Sequence, residues 1–448
     1  MSRIKEIINK LDQHTFEVFK KSSKTMVVKI TGMFIALFIS VFLGRTLGPE
    51  GLGSVNLAIK LGILLLVITM FGFPMVIVKQ ISIAYTNQNF KDIASKIKTS
   101  LVFNGFLSLC IAIIGALVLP IVIDLFFDNQ DLYLPFLIAF LMLIPQSIAR
   151  VYGSALNGIG KIWQANLVDQ TLSYILVGIG LLVFWIFNIE FNVVSVLVLF
   201  GISRIILVIV VKVIWDNSFG HKVKGNIHLK PMLKMGVPLL LVSGTTIMAS
   251  NVDVIMLGFS ATLKDVGMYS VAAQLAILTS FFLQVSNAAI APKIASLFSK
   301  KKTREIQVMV QRITVFLAMA AMLFVIFFVL FGELLLSFWG VDFKEAYWIL
   351  LVLAIGQVFN LATGCSGILL IMCGHEKIHG WISLTSLILN IILNVVLINY
   401  YGAVGAAIAT TITLVLSNII KVYIAKKKTG VLTIPVFVNR EKHRFTDK

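Results

Sequence analysis

The stretch MCGHEKIHGW, residues 372–381, sets His375, Glu376 and His379 in the order H-E-x-x-H. On one helical face that spacing brings two imidazoles to a zinc ion and leaves the glutamate to activate water, as in a metalloprotease. Two features oppose this chemistry here. Gly374 and Gly380 bracket the motif, which favours a loop over the helix that would align the two rings, and no third ligand can be assigned. The expectation is therefore a wet turn, with neither metal nor other cofactor. Cys110, Cys365 and Cys373 form no C-x-x-C motif and read as small packing residues.

A second set of reactive side chains lies inside long apolar runs. Lys29, Lys60, Asp169, Arg204 and Asp253 are ionisable, and hydrocarbon tolerates such groups only beside a wet cavity or a partner, so each is a functional candidate. Ser243, Thr246, Ser250 and Asp253 recur at intervals of 3, 4 and 3, which gives them one helical face. A cavity with Lys29 and Lys60 on one side would hold an anion such as a phosphate. Ser243, Thr246, Ser250, Gln274, Gln284, Asn287 and Asn360 would then meet hydroxyl-rich groups on the other side. Asp169 and Arg204 are expected to form an intramembrane charge pair, and Asp253 is the candidate for binding and releasing a coupling ion. The plain alternatives are that the lysines snorkel to headgroups and that the polar residues pack helices together.

The elements that must position these groups follow from composition. Of 448 residues 58% are hydrophobic and 13% charged, and the mean hydropathy is +0.97, far above a soluble domain of this length. A spanning helix needs about 20 apolar residues to cross about 30 Å of hydrocarbon. Twelve such stretches lie between residues 25 and 424, among them 55–78, 235–259, 269–291 and 347–373. The net charge of +18 is unevenly placed. With a cytoplasmic N-terminus, 32 of the 38 Lys and Arg fall at cytoplasmic segments or span ends, which puts both termini in the cytoplasm by the positive-inside rule. The basic charge is thus a topology and lipid-surface signal and excludes a nucleic-acid reading. Residues 1–24 carry an Ile4, Ile7, Ile8, Leu11 pattern among basic residues and read as an amphipathic helix on the membrane surface, not a cleavable signal.

An offset of 214 residues brings the halves into register: Leu43-Gly44 meets Leu257-Gly258, Gly53 meets Gly267, Lys79 meets Lys293, Asp128 meets Asp342 and Gly160 meets Gly374. Two six-helix bundles, 25–214 and 235–425, are then expected, joined by a cytoplasmic linker at 215–234 and followed by a basic tail at 426–448. Six spans per half give both the same orientation, hence a pseudo-two-fold along the membrane normal.

The loop FLGRTLGPEGLGSVNLA at 42–58 and its counterpart LGFSATLKDVGMYSVA at 257–272 are similar to the loops after helices 1 and 7 of polysaccharide and oligosaccharide flippases, the Wzx-type transporters of the MOP superfamily. The resemblance implies an all-α integral membrane protein of about 12 transmembrane helices with a MATE-like fold. It also implies a non-enzymatic function: moving a lipid-linked oligosaccharide, typically on undecaprenyl pyrophosphate, from the inner to the outer leaflet of a bacterial cytoplasmic membrane. The product would feed capsule, O-antigen or exopolysaccharide synthesis, with membrane lipids and a glycosyltransferase or polymerase of the pathway as partners. The arginine-rich cavity of lipid II flippases is not reproduced, which argues against a peptidoglycan precursor as cargo. One alternative is a MATE-like ion-coupled exporter of small molecules; another is a membrane-embedded enzyme such as an intramembrane zinc protease built on His375 and His379. Lys29, Lys60 and Arg204 against Asp169 and Asp253 leave a net intramembrane charge of +1, which favours an anionic cargo.

Overall fold

A computed structural model describes residues 13–127, 130–221 and 223–435, and no strand occurs among them. Nine helices there are long and apolar enough to cross a membrane, or ten if the bent pair Ile162–Asp169 and Leu172–Ile186 is one span. Their outer faces carry large apolar side chains: Phe38 is 73% exposed and Leu117 72%. Such a surface is stable against lipid, and helices suit lipid because every backbone polar group is paired within the segment.

Two compact units divide the chain, Met1–Asn251 and Val252–Lys448. The first holds α1 (Gln13–Met70), α2 (Phe73–Thr86), α3 (Phe90–Phe126), α4 (Tyr133–Gly158), α5 (Ile162–Asn166), α6 (Leu172–Ile186), α7 (Val193–Phe219) and α8 (Leu229–Ala249). Residues 1–12 of the expected surface helix lie outside the described residues, and from Gln13 the chain is already part of α1. Gly48, with φ of 66°, divides α1 into its first two membrane segments, and Pro49 restarts the helix with its fixed φ. The expected span over 55–78 is likewise broken at Phe71-Gly72, both with positive φ. A Cβ on Gly72 would collide with the Gly236 carbonyl and come within 2.6 Å of the Leu240 nitrogen, so glycine lets α8 press against the start of α2. Met232 of α8 joins Phe73, Ile77, Ile81, Val151, Leu156 and Trp215 in the core of this unit.

The second unit holds α9 (Val252–Ser260), α10 (Leu263–Thr279), α11 (Phe281–Ser299), α12 (Thr303–Leu336), α13 (Tyr347–Ala362), α14 (Ser366–Met372) and α15 (Glu376–Thr429). Its core joins Ile294, Ile306, Leu317, Leu361 and Leu369 with Cys365 and Cys373, so these two cysteines do serve as packing residues. Part of the basic tail, residues 436–448, lies outside the described residues.

Three further expected spans are discontinuous. The span over 235–259 stops at Ala249 and resumes at Val252, because the Asn251 amide donates to the Ile247 carbonyl at 2.6 Å and so competes with the helix ladder. The span over 269–291 breaks at Ser280, and the one over 347–373 breaks at Gly364, whose φ is 63°. The offset of 214 is written in the backbone as well: Gly160 and Gly374 have φ of 80° and 82°, and Asn188 and Gly402 have φ of 50° and 54°. Left-handed turns thus recur at the same offset in both halves.

Candidate transport site

In the second unit, Asp253 sits in the first turn of α9 with 6% exposure. Its Oδ2 accepts from the Tyr269 hydroxyl of α10 at 2.7 Å and from the Thr410 hydroxyl of α15 at 2.7 Å, and its Oδ1 accepts from the Asn394 amide at 2.7 Å. Asn394 also donates to Asn390 Oδ1 at 3.0 Å, one turn earlier on α15. The Oδ1 of Asn394 is buried without a partner. A carboxylate is therefore held inside a helical bundle by neutral donors, with no cation paired to it among the described residues and an amide oxygen free beside it. Such a cluster of hard oxygens can hold a proton or a small cation. Asp253 was visible in the sequence; Tyr269, Asn390, Asn394 and Thr410 were not singled out, although Asn390 and Asn394 stand four apart in the otherwise apolar run ILNIILNVV.

The break at Ser250-Asn251 separates Asp253 from its expected face. Ser243 and Ser250 turn their hydroxyls to their own helix, donating to Leu239 and Thr246 carbonyls at 2.7 and 3.1 Å, while Thr246 and Ser250 are exposed. Gln274 is half-buried and Gln284 exposed; Asn287 is half-buried, its Oδ1 without a partner. Asn360 donates to Gln357 at 3.1 Å and accepts from Asn418 at 3.2 Å, a chain internal to α13 and α15.

In the first unit, Lys29 is exposed and Lys60 half-buried, both on α1. Asp169 does not pair with Arg204. It pairs with Arg150 of α4, across a short wide turn of π-helix at Leu167–Thr171 that carries the carboxylate toward α4. The same turn lets the Thr171 hydroxyl donate to the Val28 carbonyl of α1 at 3.0 Å. Arg150 escaped notice because it stands near the end of its apolar run and looks like a headgroup-level residue. Arg204 is half-buried, and its Nε is buried without a hydrogen-bond partner.

The H-E-x-x-H motif corrects the expectation of a loop. Gly374 does make the left-handed turn, yet α15 starts at Glu376, with His375 as its N-cap, so the two histidines are one helical turn apart. The His379 ring packs over Gly367 with its Nδ1 buried and without a partner, while Glu376 is exposed, so base and ring diverge. Among the described residues no three His, Cys, Asp or Glu side chains converge as a metal site.

Long apolar helices that enclose charged and amide groups define a multi-pass membrane transport protein. A family model described as polysaccharide biosynthesis protein matches residues 18–298, more than half of the chain, and a second, described as MatE, matches 238–396. The chain belongs to the polysaccharide biosynthesis protein family. Over 172 residues it is 27% identical to a Haloferax volcanii protein described as a "probable low-salt glycan biosynthesis flippase"; the matched stretch covers 38% of this chain and 36% of that relative. Among solved structures, an inward-facing multidrug resistance MATE family transporter aligns with TM-score 0.74 at 15% identity, covering 90% of this chain and 94% of the other. The lipid II flippase MurJ in an inward closed conformation aligns with TM-score 0.70 at 17% identity, covering 91% and 87%. At these identities the two structures bear on the fold alone.

Proposed function

We propose that this protein flips a lipid-linked oligosaccharide from the inner to the outer leaflet of the cytoplasmic membrane, for assembly of a surface glycan, by alternating access. The carbohydrate head crosses in polar surroundings while the lipid tail stays in the bilayer, and the cargo leaves chemically unchanged. A glycosyltransferase of the same pathway would supply it and a polymerase would take it up. The observation that carries this reading is the unbalanced positive charge within the apolar runs of the first unit: Lys29, Lys60, Arg150 and Arg204 stand there against a single carboxylate, Asp169, which pairs with Arg150. A phosphate-bearing head suits that excess, and a cationic drug does not. Family membership and the glycan-flippase relative support the same cargo class. Asp253, with its neutral donors, is the coupling group in this scheme: it binds a proton or a small cation and gives it up as the bundle rearranges.

The test is reconstitution in liposomes with a fluorescent lipid-linked oligosaccharide, scored for movement between leaflets with and without an ion gradient. Lys29→Ala and Lys60→Ala are expected to abolish flipping while the protein stays folded in the membrane, and Asp253→Asn to remove the response to the gradient. Normal flipping in both lysine variants would sink the cargo reading; a gradient response that survives Asp253→Asn would sink the coupling role.

A further inference from the structure

In the second unit, polar side chains continue beyond the Asp253 cluster along both halves of α15. Gly402, with φ of 54°, divides this helix. The halves run back alongside each other: a Cβ on Gly405 would collide with the Leu397 carbonyl oxygen, and further from the bend the Asn390 amide donates to the Thr410 hydroxyl at 3.5 Å. Carried toward the expected cytoplasmic end, that antiparallel register sets Ser386 level with Leu414, Ser383 with Ser417, and His379 with Lys421. The Lys421 charge does act on the His379 ring. On the first half His379, Ser383, Ser386, Asn390 and Asn394 stand at intervals of 4, 3, 4 and 4, which is one helical face. On the second half Thr410, Thr413, Ser417 and Lys421 stand at 3, 4 and 4. None of these side chains is exposed, whereas Trp381, Ile388, Ile392 and Ile420 of the same helix are.

The result is a polar seam about 22 Å long at 1.5 Å per residue. At its inner end Asn394 and Thr410 donate to Asp253, and at its outer end stands His379, its Nδ1 buried without a partner. Helix packing alone would explain small hydroxyls in such a place. It does not explain two termini that both exchange protons, a carboxyl and an imidazole. Between them Ser383, Ser386, Thr413 and Ser417 donate to carbonyls of their own helix, which leaves their oxygens open as acceptors. Steps of one helical turn, about 5–6 Å, are what a single bridging water spans. The titratable groups packed around the ring are Lys421, His375 and Glu376 one turn earlier on α15, and the buried Cys365 and Cys373 thiols that flank α14. The Lys421 ammonium at the mouth opposes entry of a metal cation. A proton passes instead by exchange, because an imidazole takes one up at one nitrogen and gives one up at the other.

We propose that the seam between the two halves of α15 is a proton path joining Asp253 to the cytoplasm, with His379 as its cytoplasmic terminus. The inference rests on reading Asp253 as the coupling group and names both the ion and its route. In each transfer one proton leaves the Asp253 carboxyl, passes along hydroxyls and bridging water, and is exchanged at the imidazole for one released to the cytoplasm; no other bond changes.

The test follows protonation of Asp253 itself and needs no cargo. Full-length protein in lipid nanodiscs is jumped from alkaline to acid pH, and the infrared band of the protonated carboxyl, assigned by its loss in Asp253→Asn, is followed in time. His379→Ala should slow its appearance about tenfold or more, and added imidazole should restore the rate, which a purely structural ring would not allow. Thr413→Val keeps the volume, removes a hydroxyl from the middle of the seam, and should slow the band severalfold. The path is overturned by the absence of an Asp253 band, by an unchanged rate in His379→Ala, or by a loss there that imidazole does not restore. Should His379→Ala fail to fold, an unchanged rate in Thr413→Val overturns it alone. A band that forms through His379 while flipping ignores a pH gradient supports the path and overturns only the coupling role.

Discussion

In the first unit Gly160 closes α4 in a left-handed turn at φ 80°, and in the second Gly374 closes α14 at 82°. Further along, Gly220 and Gly430 end α7 and α15 in the same manner, and the extended chain that follows each is tied to a helix of its own unit. After Gly220, the Asn226 and His228 amides donate to Ser95 and Thr99 of α3 at 3.0 Å; after Gly430, Leu432 exchanges two hydrogen bonds with Gln307 of α12, at 2.6 and 2.9 Å. The same turns and straps therefore enclose two different interiors. The first carries an arginine–aspartate pair and a solitary arginine, the second a solitary aspartate among amides and hydroxyls. Backbone geometry has been kept between the halves, whereas the groups that meet charge have not. Under the proposed function the anionic head would meet the first interior and the coupling ion the second.

The largest expected effect comes from emptying the second interior. Asp253→Ala leaves the Tyr269, Thr410 and Asn394 donors without their common acceptor, and each unsatisfied buried group costs about 1–3 kcal/mol. A loss of about 3 kcal/mol, read as a lowered Tm in nanodiscs, is expected; an unchanged Tm would mean the aspartate is not the hub of that network. The shared scaffold predicts a matched and smaller pair. Nothing lies within 4 Å of a Cβ built at Gly160 or Gly374, so alanine at either meets only the left-handed strain, about 1–2 kcal/mol. Equal losses would sharpen the equivalence of the two turns, and a large loss at one position alone would break it. The smallest effect belongs to the surface. Lys264 pairs with Glu345 at 2.7 Å, and this hydrogen bond raises the lysine pKa above its ordinary value. A raised pKa contributes fully below the unfolded value and is lost only as pH climbs through the folded one, so the pair is constant across the neutral range. Solvent screening leaves it little weight, and Lys264→Ala should not change Tm measurably.

Much of this architecture is legible in the residues. Apolar runs of spanning length, the one-sided placement of Lys and Arg, and glycines 214 apart all act locally, through hydropathy, lipid-surface charge and φ. They establish a helical membrane protein, and raise the expectation of a duplication, without reference to any contact. Asp253 was also identifiable, because a carboxylate in an apolar run has few uses. Its partners were not, since Tyr269 and Thr410 reach it across 16 and 157 residues of chain. The break at Ser250-Asn251 was hidden for a related reason: an asparagine that diverts a backbone carbonyl looks, in sequence, like any polar residue on a helical face. Histidines four apart supplied the spacing of a zinc site and the helix it requires, but packing turned the His379 ring inward over Gly367 and left Glu376 outside. The choice of Arg150 over Arg204 for Asp169 was set by the wide π turn at Leu167–Thr171, which redirects one side chain by a fraction of a helical turn. Solvent preference and backbone freedom belong to each residue and could be read from the chain itself. The pairing of charges depends on where separate helices bring their side chains, and only the tertiary structure decides that.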